Sequence, residues 1–312
     1  MISKENVSID NAISAAADDI FNEYELLSLV DVEYNKPLKS KLLSGKIPLK
    51  CRFCDKHYPA VSFKKNAHAI PEFIGNKSLF SSFECDSCNQ FFGKYENEFA
   101  NFMLPYNALS GVINKSNKAT KYKQDIVVYN GRDNQINIEE FPDEISLSDK
   151  MIEFSLNKPS YIPDYIYRCL TKIGLTIMPE DSLEEFQYLF TWLRDLSEDC
   201  TYPGRMIFSI FPFENPSSSI RCMLLKVKKP QVRKVPSVIL HLAYQNFTFQ
   251  TFLPVSTAES TGELHPFPYL IPSILDFDST LRNRKSVEHI DLTGKEKVKG
   301  EKADFVLNNL DK

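Results

Sequence analysis

The sequence predicts an α+β protein: a zinc-stapled finger preceded by a helical lead-in and followed by a larger α+β domain. Three observations predict it. Two Cys-x2-Cys pairs, Cys51/Cys54 and Cys85/Cys88, stand thirty residues apart. Directly after the second pair, apolar residues recur at helical spacing. From residue 124 onward, runs of period two alternate with two further helical runs. The chain has 312 residues, 43% of them hydrophobic, which is enough to bury a sizeable core.

Residues 1–47 read as the helical lead-in. In SIDNAISAAADDIFNEYELLSLV, Ile13, Ala16, Ile20 and Leu27 fall near one face, with Ser or Asp available as an N-cap. NKPLKSKLLSGKIPLK follows as a connection punctuated by Pro and Gly. Residues 48–123 form the cysteine unit. Phe92, Tyr95, Phe99 and Phe102 mark its helix, which Pro105 and Gly111 are expected to end. Residues 124–295 read as an accessory α+β domain. It opens with a hairpin around NGRDN and a strand in KMIEFSL. A helix then starts after Pro163, with Ile166, Leu170, Ile173 and Ile177 inward. SLEEFQYLFTWLRDL reads as a second helix, with Ser182 and Glu185 as a capping box. The strand-like runs RMIFSIFPF, IRCMLLKV, SVILHLAYQ, FTFQTFLPV and SVEHIDL follow. Residues 296–312 read as a charged tail, mobile in part. No internal repeat is evident.

Composition narrows the function. No run of about 18 apolar residues occurs, so no membrane span is expected. The N-terminal MISKENVSIDNAISAAADDIF lacks the basic and apolar regions of a signal peptide. The expected location is the reducing cytoplasm, where seven cysteines point to thiols or metal and away from a disulfide framework. Net charge is −4, yet residues 51–123 carry ten Lys/Arg against six Asp/Glu. The basic excess sits on the cysteine unit and on the KSNKATKYK run after it. No Walker loop or dinucleotide fingerprint is found.

Each Cys-x2-Cys pair can turn two thiolates toward one ion. Four thiolates make a closed tetrahedral site, which suits structural Zn²⁺. Four buried free thiols and an iron–sulfur cluster are the rival readings; paired spacing disfavours the first, and knuckles flanking a strand-like loop and a helix disfavour the second. A closed site leaves no open coordination position, so this zinc staples the fold, and any chemistry comes from the residues between the knuckles or from the helix after them. Cys169, Cys200 and Cys222 are isolated and read as small buried apolar residues. His241 and His265 read as packing residues.

The ordered set C-x2-C … AHAIPEFIGN … C-x2-CN-x2-FG-x2-E resembles the HNH endonuclease family over about residues 51–104. DYIYRCLTKIGLTIMP is similar to a helix that follows the nuclease unit in the nearest branch. The resemblance implies a ββα-metal finger and metal-dependent hydrolysis of phosphodiester bonds. His68 takes the place of the general base that deprotonates a water, and Asn76 that of an acceptor for its other ring nitrogen. Asn89 takes the place of a metal ligand; Glu96, two helical turns on, and Glu72 are further candidates. The ion implied is Mg²⁺ or Mn²⁺, which neutralises charge at the phosphate. Where many members carry Asp, Glu or His before the base, this chain has Ala67, which cannot bind a cation.

Lys64 and Lys65, placed on the same strand as His68, and Lys115, Lys118, Lys121 and Lys123 are expected to contact phosphates. The implied partner is nucleic acid, double-stranded DNA first. For the accessory domain a sensor, a targeting platform and a dimerisation surface stay open. By family analogy its partner is a second copy of the chain or a protein of a bacterial defence or mobile-element system. A non-catalytic zinc module that binds nucleic acid or protein, with His68 vestigial, is the competing reading.

Overall fold

The computed structural model describes residues 22–37, 41–43, 49–113, 117–120, 122, 127–130, 135–138, 146–148, 151–197, 204–211, 216–228, 237–254 and 286–308. Its largest element is a six-stranded sheet in the order β1-β10-β11-β12-β9-β13, antiparallel at every pairing. These strands are β1 (Tyr24–Glu33), β9 (Arg205–Ile210), β10 (Ser217–Val227), β11 (Val238–Gln245), β12 (Phe247–Leu253) and β13 (Ser286–Asp291). All five strand-like runs after residue 204 therefore appear as strands. β11 and β12 are buried at every residue, the polar His241, Gln245, Thr248, Gln250 and Thr251 included.

The lead-in is corrected by β1. Residues 1–21 lie outside the described residues, and Tyr24–Glu33 is a strand where a helix was expected. It pairs with β10 from Tyr24↔Val227 to Glu33↔Ser219, with one irregularity between Leu26 and Ser28. Val30 and Val32 point inward, at period two. The Ala-rich stretch upstream imposes helical spacing on the reading, and Leu27 was carried along with it.

Three short sheets surround the first. β2 (Lys41–Leu43), β3 (Ala67–His68) and β4 (Leu79–Ser81) form one, in the order β2-β4-β3. β5 (Val127–Asn130) and β6 (Gln135–Ile138) form the expected antiparallel hairpin. β7 (Ser146–Ser148), β8 (Met151–Asn157) and β14 (Lys302–Asn308) form the third. The last strand corrects the tail. Lys302↔Asn157 through Asn308↔Met151 pair antiparallel, with Ala303 and Phe305 buried and Lys302, Asp304 and Val306 exposed. The high charge of the segment hides this alternation. Glu301 fastens the strand: its carboxylate meets Lys158 Nζ at 2.5 Å and accepts from the Tyr161 hydroxyl.

Helix α1 (Asp86–Leu109) runs through Pro105, contrary to the expected stop. A proline removes one helical hydrogen bond, but Phe102, Met103, Tyr106 and Leu109 are buried on both sides of it, and that packing carries the helix on. Helix α2 (Pro163–Ile177) opens with its proline in the first turn. Helix α3 (Gln187–Arg194) follows a 3-10 stretch, Glu180–Phe186. The capping box does not form. Pro179 starts the 3-10 stretch, so Ser182 falls inside it and its hydroxyl meets Asp181 at 3.2 Å.

Every residue of α2 except Tyr165 is buried. The helix packs on α1 through Tyr95–Tyr165 (4.9 Å between rings) and on β12 through the Tyr167 hydroxyl, which donates to Phe252 O at 3.0 Å. Gly174 allows the close approach: a Cβ there would stand 2.9 Å from Leu253. Phe92, Phe99 and Phe102 of the cysteine unit share one core with Leu170 and Ile173 of α2 and Phe208 and Phe249 of the sheet. The core is thus continuous across the boundary drawn at residues 123/124. No helix among the described residues is long and apolar enough to cross a membrane.

Candidate metal centre and active site

The first knuckle is a tight turn. Asp55 takes a left-handed conformation (φ 60°), Asp55 N–H donates to Cys51 O at 2.9 Å and Cys51 N–H donates to Lys56 O at 2.8 Å. Both cysteines of the pair are thereby turned the same way. In the second knuckle, extended Cys85 is the N-cap of α1 and Cys88 lies in its first turn. All four sulfurs lie within 4.8 Å of one another, and Cys54 Sγ to Cys85 Sγ is 3.8 Å. Bonds of about 2.3 Å to a tetrahedral Zn²⁺ require a sulfur–sulfur edge of about 3.8 Å, so the donor set fits the ion. The Cys51 thiol is lowered to about 5, first because Cys88 donates a hydrogen bond to it, and Cys88 is raised in return. A divalent ion removes the need for that shared proton. His57 is exposed, and Cys169 and Cys222 are buried elsewhere in the core. Cys200 and His265 lie outside the described residues, and His241 is buried on β11.

Between the knuckles, β3 pairs antiparallel with β4 through Ala67↔Ser81 and His68↔Phe80; α1 follows. Lys64 and Lys65 are exposed but do not belong to this strand. They sit in the turn before it, where their backbone N–H groups donate to the Asp86 carboxylate at 3.1 and 2.8 Å. Asp86 thus ties the approach to β3 onto the first turn of α1.

The loop between β3 and β4 is built by the Gly-Asn pair. Gly75 has φ +94°, and a Cβ there would stand 2.1 Å from the Tyr34 ring; conformation and space both require glycine. Asn76 corrects an expectation. Its Nδ2 donates to Ile70 O (2.6 Å) and Leu79 O (2.9 Å), and its Oδ1 accepts from the N–H groups of Ser78 (3.2 Å) and Leu79 (2.9 Å). The backbone uses the whole amide, so it is not an acceptor for the His68 ring. The acid that the structure brings to His68 is Glu72, whose Oε2 lies 3.8 Å from Nε2. The His68 ring is 22% exposed and leans on Phe80, 4.7 Å between centroids. Lys77 Nζ binds the other Glu72 oxygen at 2.8 Å.

Behind β3 lies a group that sequence reasoning missed. Lys172 of α2 donates from Nζ to His68 O at 3.0 Å and stands 2.9 Å from Glu84 Oε2 and 3.8 Å from Glu96 Oε1. Burial pulls this ammonium's pKa down, but Glu84 and Glu96 outweigh it and the net shift is upward; Lys172 is charged. Burial pushes the Glu84 carboxyl up, opposed by Lys172. The one signal in the sequence was a lysine directly before the inward-facing Ile173.

Asn89 is half-buried in the first turn of α1. Gly93 and Glu96 follow it on the same face, and the space over Gly93 is open to 4 Å. Ala67 is buried and offers no donor. The carboxylates near His68 are matched by lysines, Glu72 by Lys77 and Glu84 and Glu96 by Lys172. Among the described residues, the four cysteines are the one group of three or more His, Cys, Asp or Glu whose ligand atoms lie within 4.8 Å. Asn89 and the open space over Gly93 are what this face of α1 offers a second, divalent ion. Lys118 is exposed; Lys115, Lys121 and Lys123 lie outside the described residues.

No curated protein and no solved structure matches the chain. Residues 51–104, from the first knuckle cysteine into α1, match the HNH endonuclease family, and the four cysteines clustered within that span agree with a zinc-stapled member of it.

Proposed function

We propose that this protein is an HNH endonuclease that hydrolyses phosphodiester bonds in nucleic acid, duplex DNA first, with β3, β4 and α1 as its ββα finger. The observation that carries the reading is the placement of His68. It stands half-exposed on a short strand that zinc knuckles flank on both sides, with Glu72 3.8 Å from Nε2. In the proposed reaction, Nε2 takes a proton from the attacking water as the new P–O bond forms and the bond to the leaving oxygen breaks. Glu72 stabilises the imidazolium that results. Lys64 and Lys65, exposed beside the approach to β3, and Lys118 neutralise backbone phosphates without reading sequence. Asn89 is proposed as the residue that would hold a divalent ion, Mg²⁺ or Mn²⁺. Such an ion, when bound, supplies charge neutralisation at the phosphate.

The test is incubation of the purified chain with supercoiled plasmid, and in parallel with single-stranded RNA, in Mg²⁺, Mn²⁺ or chelator. Nicked or linear plasmid is the expected product. No product from either substrate in any metal would favour the non-catalytic zinc module.

A further inference from the structure

We propose that Lys172 is a positioning residue for His68, which makes α2 part of the catalytic unit although it lies outside the span matched to the family. The inference rests on reading His68 as the base.

The lysine is 104 residues from His68 in sequence, yet its Nζ donates to His68 O at 3.0 Å. It touches three parts of the cysteine unit. The His68 carbonyl belongs to β3, Glu84 directly precedes the second knuckle, and Glu96 lies on α1. Strand β3 is two residues long and has two partners on β4. So short a pairing fixes a main chain poorly, and the contact made by the His68 carbonyl decides where the imidazole stands.

The choice of residue points the same way. Lys172 and Glu84 side chains are 1% and 0% exposed. Buried ion pairs are often replaced by apolar residues with no loss of stability, and α2 carries a second one, Asp164 with Arg168, whose guanidinium likewise donates to main-chain carbonyls, those of Trp192 and Asp195. A packing role alone does not call for an ammonium. Holding a carbonyl at a fixed point does, because an N–H donor is directional and a methyl group is not. A displacement of about 1 Å at a reacting group costs about 10²-fold in rate.

The test is the apolar double variant Glu84→Leu/Lys172→Met, which removes both charges together and leaves neither buried alone. It is compared with wild type on duplex DNA for kcat, KM, zinc content and melting. The double variant should melt cooperatively, hold one zinc and keep KM within about threefold, while kcat falls about 10–10²-fold. The pair Glu84→Gln/Lys172→Gln keeps an N–H for the carbonyl, and its kcat should return to within about fivefold of wild type. Should the apolar pair not fold, Glu84→Gln/Lys172→Met takes its place with the same expectation. A folded variant lacking the donor whose kcat stays within about threefold of wild type would overturn the proposal. A wild type that cleaves nothing would remove the nuclease reading itself, and the positioning role with it; the two failures are told apart by the wild-type lane.

Discussion

Asn76 and His68 are eight residues apart, and the structure gives them different work. The Asn76 amide is buried and bonded at all four positions to backbone groups of Ile70, Ser78 and Leu79. Asn76→Ala would remove all four of these bonds, with only Leu79 O keeping a second donor, the Ala69 N–H at 3.2 Å. At about 1–3 kcal/mol for each buried group left unsatisfied, a loss of about 3 kcal/mol or more is expected in urea denaturation. His68→Ala should cost about 1 kcal/mol or less, because its ring is partly exposed and packs mainly on one side. Comparable losses for the two would contradict this division. The sequence singled out both residues, because their motif is local. It did not show which way the amide points, since spacing along a chain says who is near and not who is bonded. Lys172 was out of reach for a plainer reason: its partner carbonyl is 104 residues away.

At the scale of elements, α1 carries a glycine in mid-helix at Gly93, with nothing within 4 Å of a Cβ there. Glycine in a helix interior costs roughly 0.5–1 kcal/mol relative to alanine. Gly93→Ala should therefore raise stability by about that amount in chemical denaturation; a loss of stability would show contacts that the structure does not have. Arg52 joins the first knuckle to the end of α2. Its Nη1 donates to Leu175 O, Thr176 O and Met178 O at 2.8, 3.0 and 3.0 Å, the carbonyls that a helix end leaves without partners. Arg52→Ala should cost about 2–3 kcal/mol, a charged donor's share, with zinc still bound; an unchanged melting midpoint would refute the clip. Strands with clean alternation or continuous apolar runs were legible in the sequence. β1 and β14 were not, because an Ala-rich neighbour and a dense run of charge masked their period.

Across the whole molecule, the finger and the sheet do not have separate cores. Aromatic residues of α1, the apolar side chains of α2 and the inner face of β9 and β12 pack as one, and Arg52 and Lys172 both tie the C-terminal half of α2 to the cysteine unit. A zinc ion held by the four cysteines would fix the knuckles from which Arg52 reaches. Stripping the metal should therefore loosen α2 as well as the finger. Calorimetry of the metal-free chain should show one transition at lower temperature than the zinc form. Two separate transitions would mean that the finger and the sheet unfold independently. The sequence pattern changes at residue 124, but a composition boundary does not say whether two segments share a core. Only the folded chain shows that α2, read as part of an accessory domain, is the layer between them.

The central claim is that His68 takes the proton in phosphodiester hydrolysis on this scaffold. The measurement that tests it most directly is the single-turnover cleavage rate of duplex DNA by wild type and by His68→Ala. Zinc content and DNA affinity are measured on the same preparations. The expected result is a rate lower by about 10²–10⁴ in the variant, with one zinc per chain and unchanged affinity. Equal rates from a folded, zinc-loaded His68→Ala protein, or no cleavage by the wild type, would contradict the claim.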